Sequence, residues 1–435
     1  MSWSGGGAAA GTARLERDVV GAIALPARRA AASAALVEQA RAAGLGVVLA
    51  AQTWLNQLPP ERRPRGFAAL PYAQGAALDL ERQAPSPRPP ARAGREALSS
   101  AAAAAYADAV LDAQLAAGAT LVTTPAHVCS GELGAGRDAD LQLAEASVAA
   151  WRERQGWRPP PQRRDEPPRE LHAALAVRPR DLPAAVGALI ARYAALPVDG
   201  YWLTLVDDPR PHPPPAAASA AAATDRPLGS PPAAASAAAA TDRPLGRECA
   251  DAAAVAAVAE LALGLQEATG RPVTVGGAGS LAPALLASGV AAVCVGATDG
   301  RPAFPPRPLD ADGVTGIALP VYHPAIVGFV PAGAAHDEAR DALFAATPCR
   351  CGAHRSFEPP RGRRATSDHN RWCLAAEARD ATRLVPPLDE ARLAARAARA
   401  ERTRRRLGLP PLPSAWQAVA AVAQARRADR ATALA

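Results

Sequence analysis

Short, nearly continuous apolar runs recur along the chain, separated by stretches whose apolar positions return with helical spacing. Leu45–Ala51 (LGVVLAA) follows an alanine-rich helical segment from Arg28 to Ala43, and Thr120–Thr124 (TLVTT) follows the helical Ala101–Ala117. Asp138–Arg154 reads as an amphipathic helix. Leu171–Val177 and Tyr201–Val206 read as strands, with the helical Leu182–Leu196 between them. A helix is expected over Ala252–Ala268, then a strand at Val273–Val275, a helix at Leu281–Ser288 and a strand at Ala291–Val295. Strands apolar on both faces and alternating with helices are parallel strands buried under helices. About seven or eight such units predict a (β/α)8 TIM-like barrel rather than an open sheet.

Three segments break the pattern. Arg158–Arg169 carries too many prolines and charges for a core element and reads as a loop. Pro214–Gly229 (PPAAASAAAATDRPLG) recurs almost unchanged as Pro231–Gly246, a local duplication inside a low-complexity loop spanning 209–247. Gly296–Arg307 is a Gly/Pro-rich loop. The expected organisation is a barrel over 1–345, a metal-binding subdomain over 346–380 and a basic helical tail over 381–435. Trp416 and the apolar Ala418–Ala423 suggest that the last helix docks back onto the barrel.

Composition narrows the chemistry. At 435 residues and 49% hydrophobic, the chain can bury a large core. All 48 basic residues are arginine, which excludes Schiff-base lysines, a P-loop lysine and a lysine general base. The formal charge of +7 permits a polyanionic partner. No secretory leader is expected, no apolar run reads as a membrane span, and six cysteines are too sparse for a disulfide scaffold. A cytoplasmic protein with reduced thiols and no membrane partner is the expectation.

Cysteine and histidine concentrate between Cys349 and Cys373, in C-R-C-G-A-H followed by H-N-R-W-C. Cys349, Cys351 and His354 are close enough in sequence to wrap one ion. His369, or Cys373 one helical turn later, would close a tetrahedral shell. Thiolate and imidazole suit zinc, and four protein ligands make a structural site rather than a catalytic one. Arg350, Arg355 and Arg361–Arg364 would favour the thiolates.

This segment resembles the zinc signature of the tRNA-guanine transglycosylases, C-x-C-x-x-C followed by a His-Asn pair, with His354 in the third position and His369-Asn370 closing it. Upstream, Asp199-Gly200-Tyr201 running to Leu205–Asp208 resembles the family's D-G-Y-A-I-G-G-L-x-V-G-E stretch. Gly277–Cys294 resembles its G-T-P-E-D-L-L stretch ending in D-M-F-D-C. These matches cover about half of the chain. The resemblance implies a (β/α)8 barrel with a C-terminal zinc subdomain, a tRNA partner and exchange of guanine for a 7-deazaguanine base. The chain departs from the family at its acids. Ala291–Cys294 holds no carboxylate where the family's nucleophile ends its strand, and neither Leu45–Asn56 nor Thr123–Pro125 supplies the other family acids. A covalent glycosyl-enzyme needs such a carboxylate. The resemblance thus implies fold and zinc, and a transglycosylase-like activity would need another nucleophile. The alternatives are a non-catalytic zinc-containing nucleic-acid-binding barrel and a barrel enzyme acting on a small phosphorylated metabolite.

Other candidates follow from position. Asp207 and Asp208 follow a strand and would face the catalytic mouth, as would His127. Gly276, Gly277 and Gly279, with Gly296 after the next strand, are candidates for a phosphate or base cradle of backbone N–H groups. Arg392, Arg396 and Arg399 recur at i, i+4 and i+7, a stripe suited to a nucleic-acid backbone.

Overall fold

The computed structural model describes residues 21–57, 63, 66–74, 100–128, 135–156, 169–206, 252–294, 319–330, 336–351, 354–382, 388–409, 411–412 and 415–434. Its centre is a parallel sheet of seven strands in sequential order: β1 (Ala22–Pro26), β2 (Gly46–Ala50), β3 (Leu121–Thr123), β4 (Glu170–Val177), β5 (Gly200–Leu205), β6 (Val273–Gly276) and β7 (Ala292–Cys294). The helices between them are α1 (Ala34–Ala42), α2 (Ser100–Ala116), α3 (Ala135–Gly156), α4 (Val186–Tyr193), α5 (Ala252–Thr269) and α6 (Ala282–Ala287). The strands and helices expected from the apolar pattern are present. The pattern missed β1, whose AIALP is short and ends in proline.

The sheet curls. Laid flat, β1 and β7 would lie roughly 29 Å apart, six strand spacings of about 4.8 Å. Instead Ala24 of β1, Val48 of β2, Trp202 of β5 and Cys294 of β7 share one small apolar cluster, with Leu121 of β3 packed against it. Alternation along each strand explains this inner layer. Ile23, Leu25, Val47, Leu49, Leu171, Ala173, Leu175, Tyr201, Leu203, Val273 and Val275 face outward into the main core under the helices. The alternate residues face inward. The result is a nearly closed seven-stranded α/β barrel.

The interior admits two large side chains by keeping their neighbours small. His172 is paired in register with Gly200, and a Cβ on Gly200 would lie 2.6 Å from its ring. At Gly276 a Cβ would meet the Leu203 carbonyl at 3.2 Å and Trp202 Nε1 at 3.5 Å. The glycine of the D-G-Y stretch is thus required by the imidazole crossing it.

Beyond the barrel come a hairpin of β8 (Val321–His323) and β9 (Gly328–Val330), then α7 (Asp337–Ala346), α8 (Arg363–Thr382), α9 (Leu388–Arg406) and α10 (Ala415–Leu434). The hairpin was not expected from sequence. Cys373, Leu374, Ala381, Leu393, Ala400, Trp416 and Val419 enter the same core as the barrel strands and helices. The last helix does dock back, as Trp416 suggested, and Arg426 on α10 pairs with Glu267 on α5.

α5 is an 18-residue helix whose length and composition alone would permit a membrane span, which the sequence reading had not recognised. It owes its apolarity to its place in the core: Val255, Val258, Leu261 and Leu265 are buried among the strands and α4.

Candidate metal centre

Two backbone devices bring the cysteine–histidine cluster together. The Cys349 amide donates to the Ser356 carbonyl at 2.8 Å, closing the loop that carries Cys351 and His354. From the other side, α8 supplies His369 and is fixed to β8 by its neighbour Asn370. Asn370 Oδ1 accepts from the Tyr322 amide at 2.8 Å, and Nδ2 donates to the Pro320 carbonyl at 2.8 Å.

The ligand atoms of Cys349, Cys351, His354 and His369 all lie within 4.8 Å of one another and can hold a metal ion. His369 Nδ1 is 3.4 Å from each of the Cys349 and Cys351 sulfurs. The Cys351 amide donates to Cys349 Sγ at 3.3 Å. Cys373, the sequence's other candidate, is fully buried in the core, with its sulfur 4.0 Å from that of Cys349. It backs the cluster from one helical turn behind His369. The free cysteines include all three, and the described residues hold no disulfide.

The histidine tautomers make the strongest case for a cation. His369 Nε2 lies 2.7 Å from the Tyr322 carbonyl and His354 Nδ1 lies 2.7 Å from the Arg355 carbonyl. A carbonyl only accepts, so both of these nitrogens carry the proton. That leaves His369 Nδ1 and His354 Nε2 as lone-pair donors, and they face each other at 2.9 Å. Two lone pairs at that distance repel unless a positive charge lies between them. A proton is one remedy: although burial opposes it, hydrogen bonds to Cys349 and Cys351 and the Tyr322 carbonyl push His369 up to about 9. A metal ion is the other, and carbonyl-anchored imidazoles are its usual ligands. His354 is pushed below its ordinary value, chiefly by burial. Phe344, fully buried, packs on one side of the cluster with ring centroids 5.4 Å from His354 and 5.5 Å from His369.

The arginines near the cluster point away from it. Arg350 and Arg361 are exposed, and the side chains of Arg355 and Arg364 keep 84% and 81% of their exposure. Farther on, the α9 stripe divides. Arg392 and Arg399 are exposed, whereas Arg396 turns inward to an ion pair with the buried Glu377 of α8. Arg404 is also buried, its Nε donating to the Ile326 carbonyl at 2.9 Å.

Asp207, Asp208 and Gly296, the sequence's candidates for the catalytic mouth and cradle, lie outside the described residues, as does the tandem repeat. Gly277 and Gly279 have φ of +75° and +51°, and the Gly277 amide donates to the Cys294 carbonyl at 3.2 Å. Turn geometry and packing account for these glycines and for Gly276. Cys294, where a family carboxylate would end its strand, is buried against Trp202, Val48 and Ala24.

The barrel's C-terminal mouth holds a buried polar group that sequence reading had only touched on at His127. His127 Nδ1 lies 2.7 Å from Asp140 Oδ1, and the two side chains are 4% and 1% exposed. Asp140 also accepts from the His127 amide at 3.0 Å and from Arg137 Nη1 at 3.4 Å, and Arg137 reaches the Ala176 carbonyl at the end of β4. Thr53, just past β2, bonds both backbone groups of Ala126 and so ties the second mouth loop to the third. His127 and Asp140 lie on either side of the β3–α3 connection, and no local periodicity marks them as partners.

Comparisons with protein-family models, with curated proteins and with solved structures find no match to this chain.

Proposed function

We propose that this protein is a zinc-containing (β/α)8 barrel of the tRNA-guanine-transglycosylase kind, with seven of its strands among the described residues, and that it engages nucleic acid. The observation that carries this reading is the four-ligand cluster whose two imidazoles oppose their lone pairs while Asn370 fixes the cluster to the β8 hairpin. Two sulfurs and two nitrogens are the donor set zinc prefers. Zinc bound there would staple the Cys349–His354 loop to α8 and supply folding energy, since four protein ligands leave no position for substrate. Cys349, Cys351, His354 and His369 are its ligands, with the Tyr322 and Arg355 carbonyls orienting the imidazoles.

Base exchange in this chain would not use a carboxylate on β7, because Cys294 stands there among apolar neighbours. One observation favours retained proton chemistry: Asp140 accepts from His127 Nδ1 and so orients the imidazole at the mouth of the barrel. His127 is then the group that accepts or returns a proton, and Asp140 orients it.

The test is incorporation of labelled guanine into tRNA by purified, zinc-loaded protein, alongside tRNA binding. Incorporation that is lost in His127→Ala establishes the enzyme. Binding without incorporation leaves a nucleic-acid-binding barrel. Protein without near-stoichiometric zinc, or a Cys351→Ala variant that keeps it, refutes the metal assignment.

A further inference from the structure

Phe357 is the one large apolar residue among the described residues that stands in solvent, at 64% exposure. Its place is built. The Glu358 amide donates to the Arg355 carbonyl at 3.1 Å, a tight turn with Ser356 and Phe357 at its corners. That turn is tied to the metal cluster twice: Cys349 donates to the Ser356 carbonyl, and His354 Nδ1 donates to the Arg355 carbonyl. Pro359 and Pro360, both buried, fix its exit.

The exposed residues that flank it in sequence are mostly cationic: Arg350, Arg355, Arg361 and Arg364, with Arg355 and Arg364 in solvent-exposed pairs with Glu358 and Asp368. The one ion pair within the turn, Arg355 with Glu358 at 3.4 Å, is solvent-exposed and so contributes little. A single exposed aromatic ring flanked in sequence by arginines suits an unpaired base, which stacks on the ring while arginines take the neighbouring phosphates. It suits a membrane poorly, since one ring offers little apolar area for insertion.

We propose that the Phe357 turn is a docking platform for a single-stranded nucleic-acid segment, with Phe357 stacking on a base and Arg355 and Arg364 contacting phosphates. This rests on the nucleic-acid reading above and moves the contact from the α9 arginine stripe to the turn over the metal cluster.

The experiment measures anisotropy of a short fluorescein-labelled single strand, as RNA and as DNA, with full-length zinc-loaded protein. Phe357→Ala is expected to weaken binding roughly 5- to 100-fold, the usual value of one stacked base, and Phe357→Trp to restore it. Arg355→Ala and Arg364→Ala should each reduce the salt dependence by about one phosphate contact. Stripping the metal should weaken wild type and leave Phe357→Ala nearly unchanged. Wild-type binding that Phe357→Ala does not alter, but Arg392→Ala with Arg399→Ala abolishes, overturns the platform and leaves the nucleic-acid reading standing. Failure of wild type to bind either strand overturns both. Binding to phosphatidylserine vesicles in place of either oligonucleotide also overturns the platform.

Discussion

Asn370→Ala tests whether the metal cluster and the fold are one construction. Asn370 and Tyr322 are both fully buried. Truncation leaves the Tyr322 amide without its acceptor in a dry site, a loss of about 1–3 kcal/mol. Pro320 is half-buried as a residue, and losing the bond to its carbonyl costs about 0.5–1.5 kcal/mol. The sum is about 1.5–4.5 kcal/mol of global stability. The same Tyr322 residue offers its carbonyl to His369 Nε2, so a loosened β8 also frees the imidazole, and losing such outer contacts typically costs about 10- to 100-fold in metal affinity. Urea unfolding followed by circular dichroism reads the first effect, and zinc competition against a chromophoric chelator reads the second. Asn370→Asp keeps the acceptor but sets a carboxylate against the Pro320 carbonyl, and should be no better at neutral pH. A change in stability below about 0.5 kcal/mol with unaltered zinc affinity would refute the coupling.

Gly200→Ala forces a methyl into the His172 ring and should cost about 1–3 kcal/mol, as overpacked cores do. His172→Ala in the same chain should relieve part of that cost, and additive losses in thermal unfolding would contradict the stated clash. His323 is pushed down to about 4, first by burial and then by His369 and His354, against the Thr347 carbonyl. Its folded value lies below the ordinary one, so its contribution to stability is present above about pH 6.5 and is lost as pH falls toward 4. The slope is about 1.4 kcal/mol per pH unit, to be read as wild type minus His323→Gln. Identical pH profiles for the two proteins would dispose of this. Asp140→Asn breaks a buried pairing with His127 and Arg137 and should lower stability by about 3–5 kcal/mol. An unfolding midpoint equal to that of wild type would show that Asp140 carries no buried charge pairing.

The barrel was legible because strands buried on both faces leave short apolar runs such as LHAALAV and YWLTL, set off by length from the longer apolar run of α5. The ligand set was legible because cysteine and histidine are scarce and cluster once. What escaped was orientation. Helical spacing places Arg392, Arg396 and Arg399 on one side of α9, but only Glu377 on a different helix decides that Arg396 turns inward. His127 lies past β3 and Asp140 on α3, and no periodicity encodes their pairing. The hairpin at Val321–Val330 gave no alternation to read, since its strands are three residues each and meet at Pro324–Ile326.

A core that runs unbroken from Ile23 to Val419 has a consequence for how the chain is made. The side of α5 that pairs with Arg426 of α10 is synthesised well before that helix. Until α10 leaves the ribosome, an apolar helix long enough to resemble a membrane span waits with one side uncovered. A chain ending after α9 would therefore leave that side of α5 uncovered. Completion of the last helix is the event that covers it.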